Sequence, residues 1–418
     1  MPPMYLLLIS VPWYGRKDKS MLSLDRVYLA GGRLQSVVRK TDMLFAPALS
    51  RNSQVYLKTE NLQKTGSFKI RGSYFKMSTL SEEEKAKGVV ACSAGNHAQG
   101  VALAAQKFGM EATIFLPSTA PISKIEATRQ QGANIRLADG VYDDAYREAI
   151  AYREETGGVF LHPFDDEDVI AGQGTVALEI VDQLPEVEAV VVPVGGGGLI
   201  SGIAYTIKSL RPECKVYGVQ ASGADSMKQS LQEKHCCHRD SVSTFADGIA
   251  VKKPGNITFD ICSRYVDGIV TVSDDEIATA ILTLMEQQKL VAEGAGAVAV
   301  AAVMFNKLPL HGKTVCAVVS GGNIDVNILS KVINRGLMTS GRLTHLTISL
   351  LDKPGQLQAV STIIAQEGAN VIRVQYTPGG ENMDICGCYL KISMETKNHE
   401  HLQSIRQSLT RSGFTLCD

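Results

Sequence analysis

Lys69 occupies an unusual setting for a lysine, because it stands between an aromatic and an aliphatic residue where a helix is predicted to begin. A short strand-like run at residues 55–58 and a polar loop lead to it. A desolvated lysine keeps part of its amine neutral, and a neutral amine can attack a carbonyl carbon. Most lysines are surface residues. Lys69 is therefore a candidate nucleophile only if other parts of the chain build a site around it.

Four consecutive glycines form a second candidate, at the end of a β-branched run of residues 189–194. They are Gly195, Gly196, Gly197 and Gly198, and Leu199 follows them. Without a Cβ atom, backbone N–H groups can close on phosphate oxygens, and the N-terminus of the following helix adds partial positive charge. A tight turn packed for steric reasons is the alternative. Four glycines in a row at a strand end favour the anion site.

The spacing around these glycines does not fit a nicotinamide dinucleotide site. A G-x-G-x-x-G pattern that starts at Gly195 meets Ile200, and one that starts at Gly196 meets Ser201. The acidic residue expected about 20 positions further on is replaced by Gln220. The chain also lacks a P-loop lysine. A dinucleotide site is therefore not expected.

Two more polar stretches complete a set of four. Ser-Ala-Gly-Asn-His-Ala-Gln-Gly occupies residues 93–100, and Ser-Gly-Gly-Asn occupies residues 320–323. Together with Ser-Phe-Lys-Ile-Arg-Gly at residues 67–72 and the glycine run, in this order, they resemble the serine/threonine dehydratases, which are lyases among the fold-type-II pyridoxal 5′-phosphate (PLP) enzymes. The resemblance is strongest to the threonine dehydratases (threonine ammonia-lyases). It covers nearly the whole chain after a short N-terminal tail.

The resemblance implies a PLP cofactor and gives roles to the residues around it. Lys69 would form the Schiff base with the cofactor and take the Cα proton of the substrate. Phe68 would pack beside the ring, and Asn96 would hydrogen-bond its phenolic oxygen. Ser320 would face the pyridine nitrogen, where a hydroxyl, unlike a carboxylate, leaves the nitrogen unprotonated and suits β-elimination. The glycine run and Leu199 would hold the phosphate.

The resemblance also implies a binding loop for an amino-acid substrate. Its carboxylate would be held by Ser93, Ala94, Gly95, Asn96 and His97, because backbone N–H groups at a helix start bind anions. For His97 itself, a structural histidine is the alternative. L-Threonine would lose its β-hydroxyl as water and give 2-oxobutanoate and ammonia, and L-serine would give pyruvate.

Other functions remain open from the sequence alone. A serine-specific dehydratase or a β-replacing PLP synthase is the alternative within the same fold, because pocket size is not visible in a sequence. A non-catalytic amino-acid sensor is the alternative from another class, although Lys69, the glycine run and Ser320 argue against it. Related racemases carry a second serine where this chain has Ala94, so poor racemisation is expected.

A bound metal is not expected in this chain. Some relatives bind a divalent cation through two carboxylates and a carbonyl in the segment that here spans residues 220–226. Gln220 and Ser226 stand where the two acids would be, so a site would require Asp225 to substitute. Glu293 would either lie near the cofactor or serve as a helix-starting carboxylate stabilised by the macrodipole.

Composition excludes several other classes of function. The chain of 418 residues has a formal net charge of −1, which gives no field to attract nucleic acid or anionic membrane. Its apolar runs fall short of the roughly 18 residues of a membrane span. Nine scattered cysteines do not form a disulfide framework. The tail of residues 1–20 fails as a secretory signal because no positive residue precedes its apolar run. A cytoplasmic protein is therefore expected.

The helices and strands predicted around these residues indicate an α/β protein. Strand-like runs alternate with helices of ten to fifteen residues between positions 89 and 194, which predicts a doubly wound sheet. The run at residues 189–194 is apolar on both faces, as a central parallel strand requires. The resemblance implies a two-lobed, tryptophan synthase β-like catalytic domain over residues 21–338, with the smaller lobe at residues 78–163.

A second unit is predicted at residues 342–418. Its βαββαβ pattern is ferredoxin-like, and the Asp352-Lys353-Pro354-Gly355 turn resembles an ACT domain, a regulatory module of amino-acid metabolism. An amino-acid effector, isoleucine or valine first, would bind around Asp352, Gly355, Leu357 and Asn370. A dimerisation platform without a ligand is the alternative. A homodimer or homotetramer is expected, and the sequence does not separate a biosynthetic from a catabolic role.

Overall fold

The structure is a computed structural model that describes residues 22–120, 122–378 and 386–417. The N-terminal tail of residues 1–20, set apart in the sequence analysis, lies outside the described residues. Within the described ranges, no helix combines the length and apolar character needed to cross a membrane.

The described residues form strands in three sheets. The strands are β1 (Met43–Phe45), β2 (Gln54–Lys58), β3 (Val89–Cys92), β4 (Ala112–Pro117), β5 (Asn134–Ala138), β6 (Val159–Phe160), β7 (Ala189–Pro193), β8 (Lys215–Ala221), β9 (Gly268–Val272), β10 (Thr314–Val318), β11 (Leu343–Leu351), β12 (Asn370–Pro378), β13 (Gly387–Glu395) and β14 (Thr415–Cys417).

Helices connect most of these strands. They are α1 (Leu24–Leu34), α2 (Lys69–Ser78), α3 (Glu82–Lys87), α4 (Asn96–Phe108), α5 (Ile122–Gln130), α6 (Tyr142–Thr156), α7 (Glu167–Gln183), α8 (Gly198–Leu210), α9 (Ser226–Glu233), α10 (Asn256–Tyr265), α11 (Asp274–Thr283), α12 (Gly294–Met304), α13 (Val326–Thr339), α14 (Gln356–Gln366) and α15 (His399–Arg411). Side-chain caps start several of them, as Asp166 does for α7 by accepting from the N–H groups of Asp168 and Val169.

The largest sheet has six strands in the order β1-β2-β10-β7-β8-β9. All neighbours are parallel except the short edge strand β1, which runs antiparallel to β2. β7 lies inside this sheet and is buried on both faces. Helix α12 packs against the sheet and consists of alanine, glycine, valine and one methionine, because an element buried nearly all round cannot carry charges.

A smaller parallel sheet, in the order β5-β4-β3-β6, lies between Val89 and Phe160 in the chain. Its core packs strands β3 and β4 against α4. This sheet falls within the smaller lobe predicted at residues 78–163, and the lobe limits themselves stay a prediction. The two-lobed α/β fold class is confirmed.

The third sheet belongs to the C-terminal unit. Its four antiparallel strands have the order β12-β13-β11-β14, with helices α14 and α15 in the connections and a shared apolar core. This is the ferredoxin-like βαββαβ arrangement that the sequence predicts. Helix α13 joins it to the catalytic part, since β11 begins four residues after α13 ends at Thr339.

The parallel sheets place three of the four predicted stretches at the carboxyl ends of strands. The glycine run follows β7, the segment with Ser320 follows β10, and the segment with Ser93 follows β3. In open α/β sheets, ligands bind beyond the carboxyl ends of the strands. The sheet topology therefore predicts one ligand site from residues far apart in the sequence.

Candidate active site

Lys69 is the first residue of α2, and its amine lies within the protein. Nζ donates a hydrogen bond to the carbonyl oxygen of Pro163 at 2.8 Å and lies 5.3 Å from the centre of the Phe68 ring. Burial lowers the pKa of Lys69 to about 8, and the nearby charge of Glu293 opposes that shift. A larger fraction of this amine is therefore neutral near pH 7 than for an exposed lysine.

The amine opens on a cavity of about 1010 Å³ between the two catalytic sheets. Every residue predicted to serve catalysis, the cofactor or the substrate lies in its wall: Phe68, Lys69, Ser93, Ala94, Gly95, Asn96, His97, Gly195, Gly196, Gly197, Gly198, Leu199 and Ser320. The structure thus brings together four segments that span some 250 residues of sequence. Their individual roles stay predictions.

The glycine run has no room for side chains. A Cβ atom at Gly196 would lie 2.4 Å from the ring of Phe164, and one at Gly197 would lie 2.6 Å from Met227. Gly197 also has a φ of 100°, in the left-handed region that favours glycine. The carbonyl of Gly196 accepts a hydrogen bond from the hydroxyl of Thr258 at 2.6 Å. Side chains at these positions would therefore overlap the residues that pack against the loop from inside the protein, and only glycine fits.

The same loop presents donors to the cavity. Within the described residues, the backbone N–H groups of positions 195–199 have no protein acceptor. They precede and enter the N-terminus of α8, where the helix dipole favours negative charge. A phosphate group supplies the acceptors that these N–H groups lack, so the loop fits the phosphate of PLP.

The loop before α4 is a second group of donors. Asn96 and His97 form the first turn of α4, and no side chain caps this helix start. The N–H groups of Ala94, Asn96 and His97 have no acceptor among the described residues. This loop fits an anion such as a substrate carboxylate.

His97 has a structural contact of its own. Its Nε2 lies 3.0 Å from the carbonyl oxygen of Leu161, and the side chain is buried. Burial lowers the pKa of His97 to about 3, and the charge of Lys69 adds to that effect. A neutral imidazole that donates to Leu161 satisfies this arrangement.

Asn96 is held between Glu293, at the start of α12, and Asn323, in the loop after β10. Its Nδ2 donates to Oε1 of Glu293 at 2.6 Å, and its Oδ1 accepts from Nδ2 of Asn323 at 2.8 Å. Asn323 also donates to the carbonyl oxygen of Thr65 at 2.8 Å. The interatomic contacts therefore define which end of the Asn96 amide is the donor.

Glu293 is a buried carboxylate at the N-cap of α12. Burial and, to a lesser degree, the charge of Asp247 raise the pKa of Glu293 to about 7, and the hydrogen bond from Asn96 opposes that shift. The sequence left two alternatives for Glu293, a place near the cofactor or a place at a helix start. The structure agrees with both, because Glu293 starts α12 and also lies in the cavity wall.

Ser320 has a hydroxyl that is available to a ligand. The residue is buried, and within the described part its hydroxyl has a single hydrogen bond, a long one of 3.4 Å to the carbonyl oxygen of Ala295. A hydroxyl with one weak partner can donate to or accept from a further group. This position fits a partner for the pyridine nitrogen of PLP.

Sequence reasoning assigned no role to three residues that shape the site. Asn323 fixes Asn96, Phe164 packs on the glycine run, and Thr258 holds the Gly196 carbonyl. Asn323 belongs to the Ser-Gly-Gly-Asn stretch, so its position in a site motif was a usable signal. Phe164 and Thr258 carry no local pattern, because only the fold brings them to the glycines.

The predicted effector residues lie in the C-terminal unit and do not all meet. Asp352, Gly355 and Leu357 are exposed at the β11–α14 turn, where Asp352 accepts a hydrogen bond from the Tyr376 hydroxyl. Asn370 pairs in register with Glu395, at the opposite end of the sheet, and donates to its carboxylate at 2.9 Å. At about 3.3 Å per residue, eight residues of strand separate the two groups by roughly 26 Å.

The segment considered for a cation is engaged in internal contacts. The Gln220 amide donates to the carbonyl of Ala224 at 3.1 Å, and the Ser226 hydroxyl donates to the carbonyl of Val251 at 2.7 Å. Asp225 forms an ion pair with Arg239 at 3.1 Å. In the residues that the structure describes, no group of three or more His, Cys, Asp or Glu is arranged to hold a metal ion.

Comparison with known proteins agrees with this site. Residues 34–321 match the family described as pyridoxal-phosphate dependent enzymes. The chain is 50 % identical to an L-threonine ammonia-lyase of Thermotoga maritima over 94 % of its own length and 98 % of the relative. An L-threonine ammonia-lyase of Geobacter sulfurreducens is 43 % identical over the same shares.

A solved structure of a threonine deaminase has a similar fold. The processed form of threonine deaminase isoform 2 from Solanum lycopersicum superimposes with a TM-score of 0.71 and is 39 % identical, covering 76 % of this chain and 90 % of the other. The family match spans the glycine run, Lys69 and Ser320. The chain therefore belongs to the family of pyridoxal-phosphate-dependent enzymes.

Proposed function

We propose that the protein deaminates L-threonine to 2-oxobutanoate and ammonia, and that it also converts L-serine to pyruvate. The observation that carries this proposal is the position of Lys69, whose amine has a lowered pKa and opens on the same cavity as the glycine loop. The names of the Thermotoga and Geobacter relatives support L-threonine as the substrate.

Each group of residues around the cofactor has its own proposed role. When bound, PLP supplies an electron sink that stabilises negative charge on the substrate Cα. The glycine-loop N–H groups hold the phosphate, and the Ser320 hydroxyl meets the ring. The free N–H groups of the Ala94–His97 segment bind the substrate carboxylate, which orients the Cα–H bond. Nζ of Lys69 accepts the Cα proton, and the β-hydroxyl takes up a proton as it leaves, so that Cα–H and Cβ–OH together give one water. One water then hydrolyses the released enamine, through its imine tautomer, to 2-oxobutanoate and ammonia.

The residue at position 94 favours elimination over racemisation. Ala94 lines the cavity where related racemases carry a serine, and its methyl group cannot accept or donate a proton. Returning a proton to the other face of Cα would require a group that can do so. Aromatic side chains of Phe68, Tyr142 and Phe164 line the cavity and limit access of water to the reacting atoms.

For the C-terminal unit, we propose binding of an amino acid such as isoleucine or valine, with an effect on catalysis. Asp352, Gly355 and Leu357 are exposed at one end of the sheet, and Asn370 is exposed at the other. One chain alone does not gather them, so the site would form where a second chain brings its own Asn370 to this turn. A homodimer or homotetramer follows from this proposal.

The experiment that tests the enzymatic proposal is a keto-acid and ammonia assay of the purified, PLP-loaded protein with L-threonine and L-serine. Stoichiometric 2-oxobutanoate and ammonia from L-threonine are expected. Keto acid from L-serine alone would favour a serine-specific dehydratase, and turnover only with an added nucleophile would favour a β-replacing enzyme. The effector proposal is tested by titrating isoleucine and valine in the same assay while measuring molecular mass in solution.

A further inference from the structure

Glu293 is a carboxylate in the site cavity that has no role in the proposed mechanism. It is 5 % exposed and lies in the walls of two cavities, the site cavity and a smaller one of about 390 Å³. Its Oε1 accepts from Nδ2 of Asn96 at 2.6 Å. A buried carboxylate costs folding free energy unless it is paired, so its presence beside the site requires a reason.

The backbone near Glu293 leaves space for this contact. A Cβ atom at Gly321 would lie 2.3 Å from Oε1 of Glu293 and 3.2 Å from Nδ2 of Asn96. Any side chain at Gly321 would therefore separate the carboxylate from the amide. The glycine stands next to Ser320, so the same short segment provides both the predicted ring partner and the room for Glu293.

The Asn96 amide is fixed from both ends. Glu293 accepts at its nitrogen, while Asn323 donates to its oxygen at 2.8 Å. Turning the amide over would set its oxygen against the carboxylate and its NH₂ group against another NH₂ group, which loses both hydrogen bonds. In the observed orientation one N–H of Asn96 is used by Glu293, and the second remains for a ligand of the cavity.

We propose that Glu293 is a positioning residue for the deamination described above: it holds the Asn96 amide in one orientation, so that the second Asn96 N–H is presented to the cofactor. This inference rests on the proposed function only for its kinetic test. The contact itself joins α4, beside the small sheet, to the start of α12 on the large sheet.

The hold on Asn96 depends on the charge of Glu293. An ionised carboxylate only accepts hydrogen bonds, and a bond from an amide to it is charge-assisted. A protonated carboxyl group also donates, so it can bond the amide oxygen and allow the reversed orientation. Burial and Asp247 raise the pKa of Glu293 to about 7, so both forms exist near neutral pH.

The charged groups that face Glu293 come from several elements. Lys69 at the start of α2 and Lys124 on α5 favour the ionised carboxylate. Asp247 in the 3₁₀ turn at Asp247–Ile249 favours the protonated form and is itself paired with Lys124. Asp325 lines the smaller cavity with Glu293. Removing the charge of Asp247 should therefore move the titration of Glu293 to lower pH.

The test compares Glu293→Gln with Glu276→Gln as a matched control. Glu276 is a partly buried carboxylate in the α11 cap, paired with Lys307 and away from the cavity. Two readouts are taken across neutral pH: the visible absorbance of the PLP-loaded protein, and kcat and KM for L-threonine. The glutamine keeps the shape of Glu293 but can donate as well as accept, so of the two contacts that fix the Asn96 orientation only the one from Asn323 remains specific.

The expected result is a kcat about tenfold lower for Glu293→Gln with little change in KM, because a weaker neutral hydrogen bond replaces the charge-assisted one. Its absorbance should also lose the pH-dependent change centred near pH 7 in the parent protein. The Glu276→Gln protein should match the parent in both readouts. In Asp247→Asn, the absorbance change should shift to lower pH.

A parent-like kcat and absorbance profile in Glu293→Gln would overturn the proposal. So would an equal loss in Glu276→Gln, which would show a general effect of removing a carboxylate. If the parent protein makes no 2-oxobutanoate, the proposed function fails, and the absorbance profiles still decide the role of Glu293. Thermal melting of the cofactor-free variants checks that each one folds.

Discussion

The amine of Lys69 donates to the carbonyl oxygen of Pro163 at 2.8 Å, and the next residue, Phe164, packs its ring on Gly196. One short segment after β6 therefore contacts both the lysine and the phosphate loop. The Phe164 ring is held in turn by an edge contact with His162, with ring centres 4.7 Å apart. The spacing between amine and loop is thus fixed by neighbouring residues of a single segment.

The first prediction concerns this segment. In Gly196→Ala, the new methyl group would lie 2.4 Å from the Phe164 ring, and the loop must move to relieve the overlap. Overpacking of this kind costs about 1–3 kcal/mol, so the dissociation constant for PLP should rise by about 5-fold to 150-fold. Titration of the cofactor-free protein with PLP measures the change.

Two further variants show whether the Phe164 contact is the cause. Gly32→Ala places a methyl group in open space on α1 and should leave PLP affinity unchanged. Adding Phe164→Ala to Gly196→Ala should recover part of the lost affinity, because the ring no longer overlaps the methyl group. An unaltered PLP affinity in Gly196→Ala would contradict the packing described here.

The second prediction concerns the buried charges beneath α2. Arg71 donates to both oxygens of Glu60, at 2.8 and 2.7 Å, and to Glu179 at 2.7 Å. Lys58 donates to Glu179 at 2.6 Å, so two positive and two negative groups balance. Arg71→Met leaves Glu60 buried and unpaired, which should lower the free energy of unfolding by about 3–5 kcal/mol.

Urea unfolding followed by circular dichroism measures this effect. Arg335→Met is the control, because Arg335 and its partner Asp275 are exposed and such pairs contribute less than about 1 kcal/mol. Combining Arg71→Met with Glu60→Gln should restore part of the stability by removing the uncompensated charge. Equal losses in Arg71→Met and Arg335→Met would argue against a special role for the buried cluster.

The third prediction is that the free energy of unfolding decreases as the pH falls below neutrality. The pKa of His97 falls from 6.5 to about 3 on folding, chiefly because of burial. Between these values the unfolded chain binds a proton that the folded protein does not, so stability is complete above pH 6.5 and decreases as the pH falls. Each pKa unit corresponds to about 1.4 kcal/mol.

His97→Gln tests this linkage, because glutamine can still donate to the Leu161 carbonyl but does not titrate. The cofactor-free variant should lose less stability than the parent between pH 6.5 and 4 or so. Melting temperatures across this range give the comparison. If the melting temperatures of the two proteins fall in parallel as the pH is lowered, His97 does not contribute to the pH dependence of stability.

Much of the fold was predictable because local patterns and tertiary structure agree. The strand predicted at residues 189–194 is apolar on both faces and is the interior strand β7, and the βαββαβ pattern predicted for the C-terminal unit is found in the third sheet with α14 and α15. Helix α7 begins at Glu167, ahead of its apolar run, because Asp166 caps it. The edge strand β1 was missed, since three residues carry no periodicity.

The site was predictable where glycine and polar motifs mark strand ends, and not where contacts are long-range. Lys69, Asn96 and Ser320 lie in such motifs. The Arg71 cluster was not foreseen, because Glu60 and Glu179 are 119 residues apart and neither has a local signature. The choice between roles for Glu293 likewise needed the position of Asn96.

Borohydride reduction of the PLP-loaded protein, followed by mass spectrometry of its peptides, identifies the lysine that binds the cofactor. We expect the phosphopyridoxyl group on Lys69, and no 2-oxobutanoate from L-threonine in Lys69→Ala. Lys124, Lys252 and Lys253 line the same cavity. Modification of one of these lysines instead, or parent-like deamination by Lys69→Ala, would show that Lys69 is not the lysine of a threonine-deaminating site.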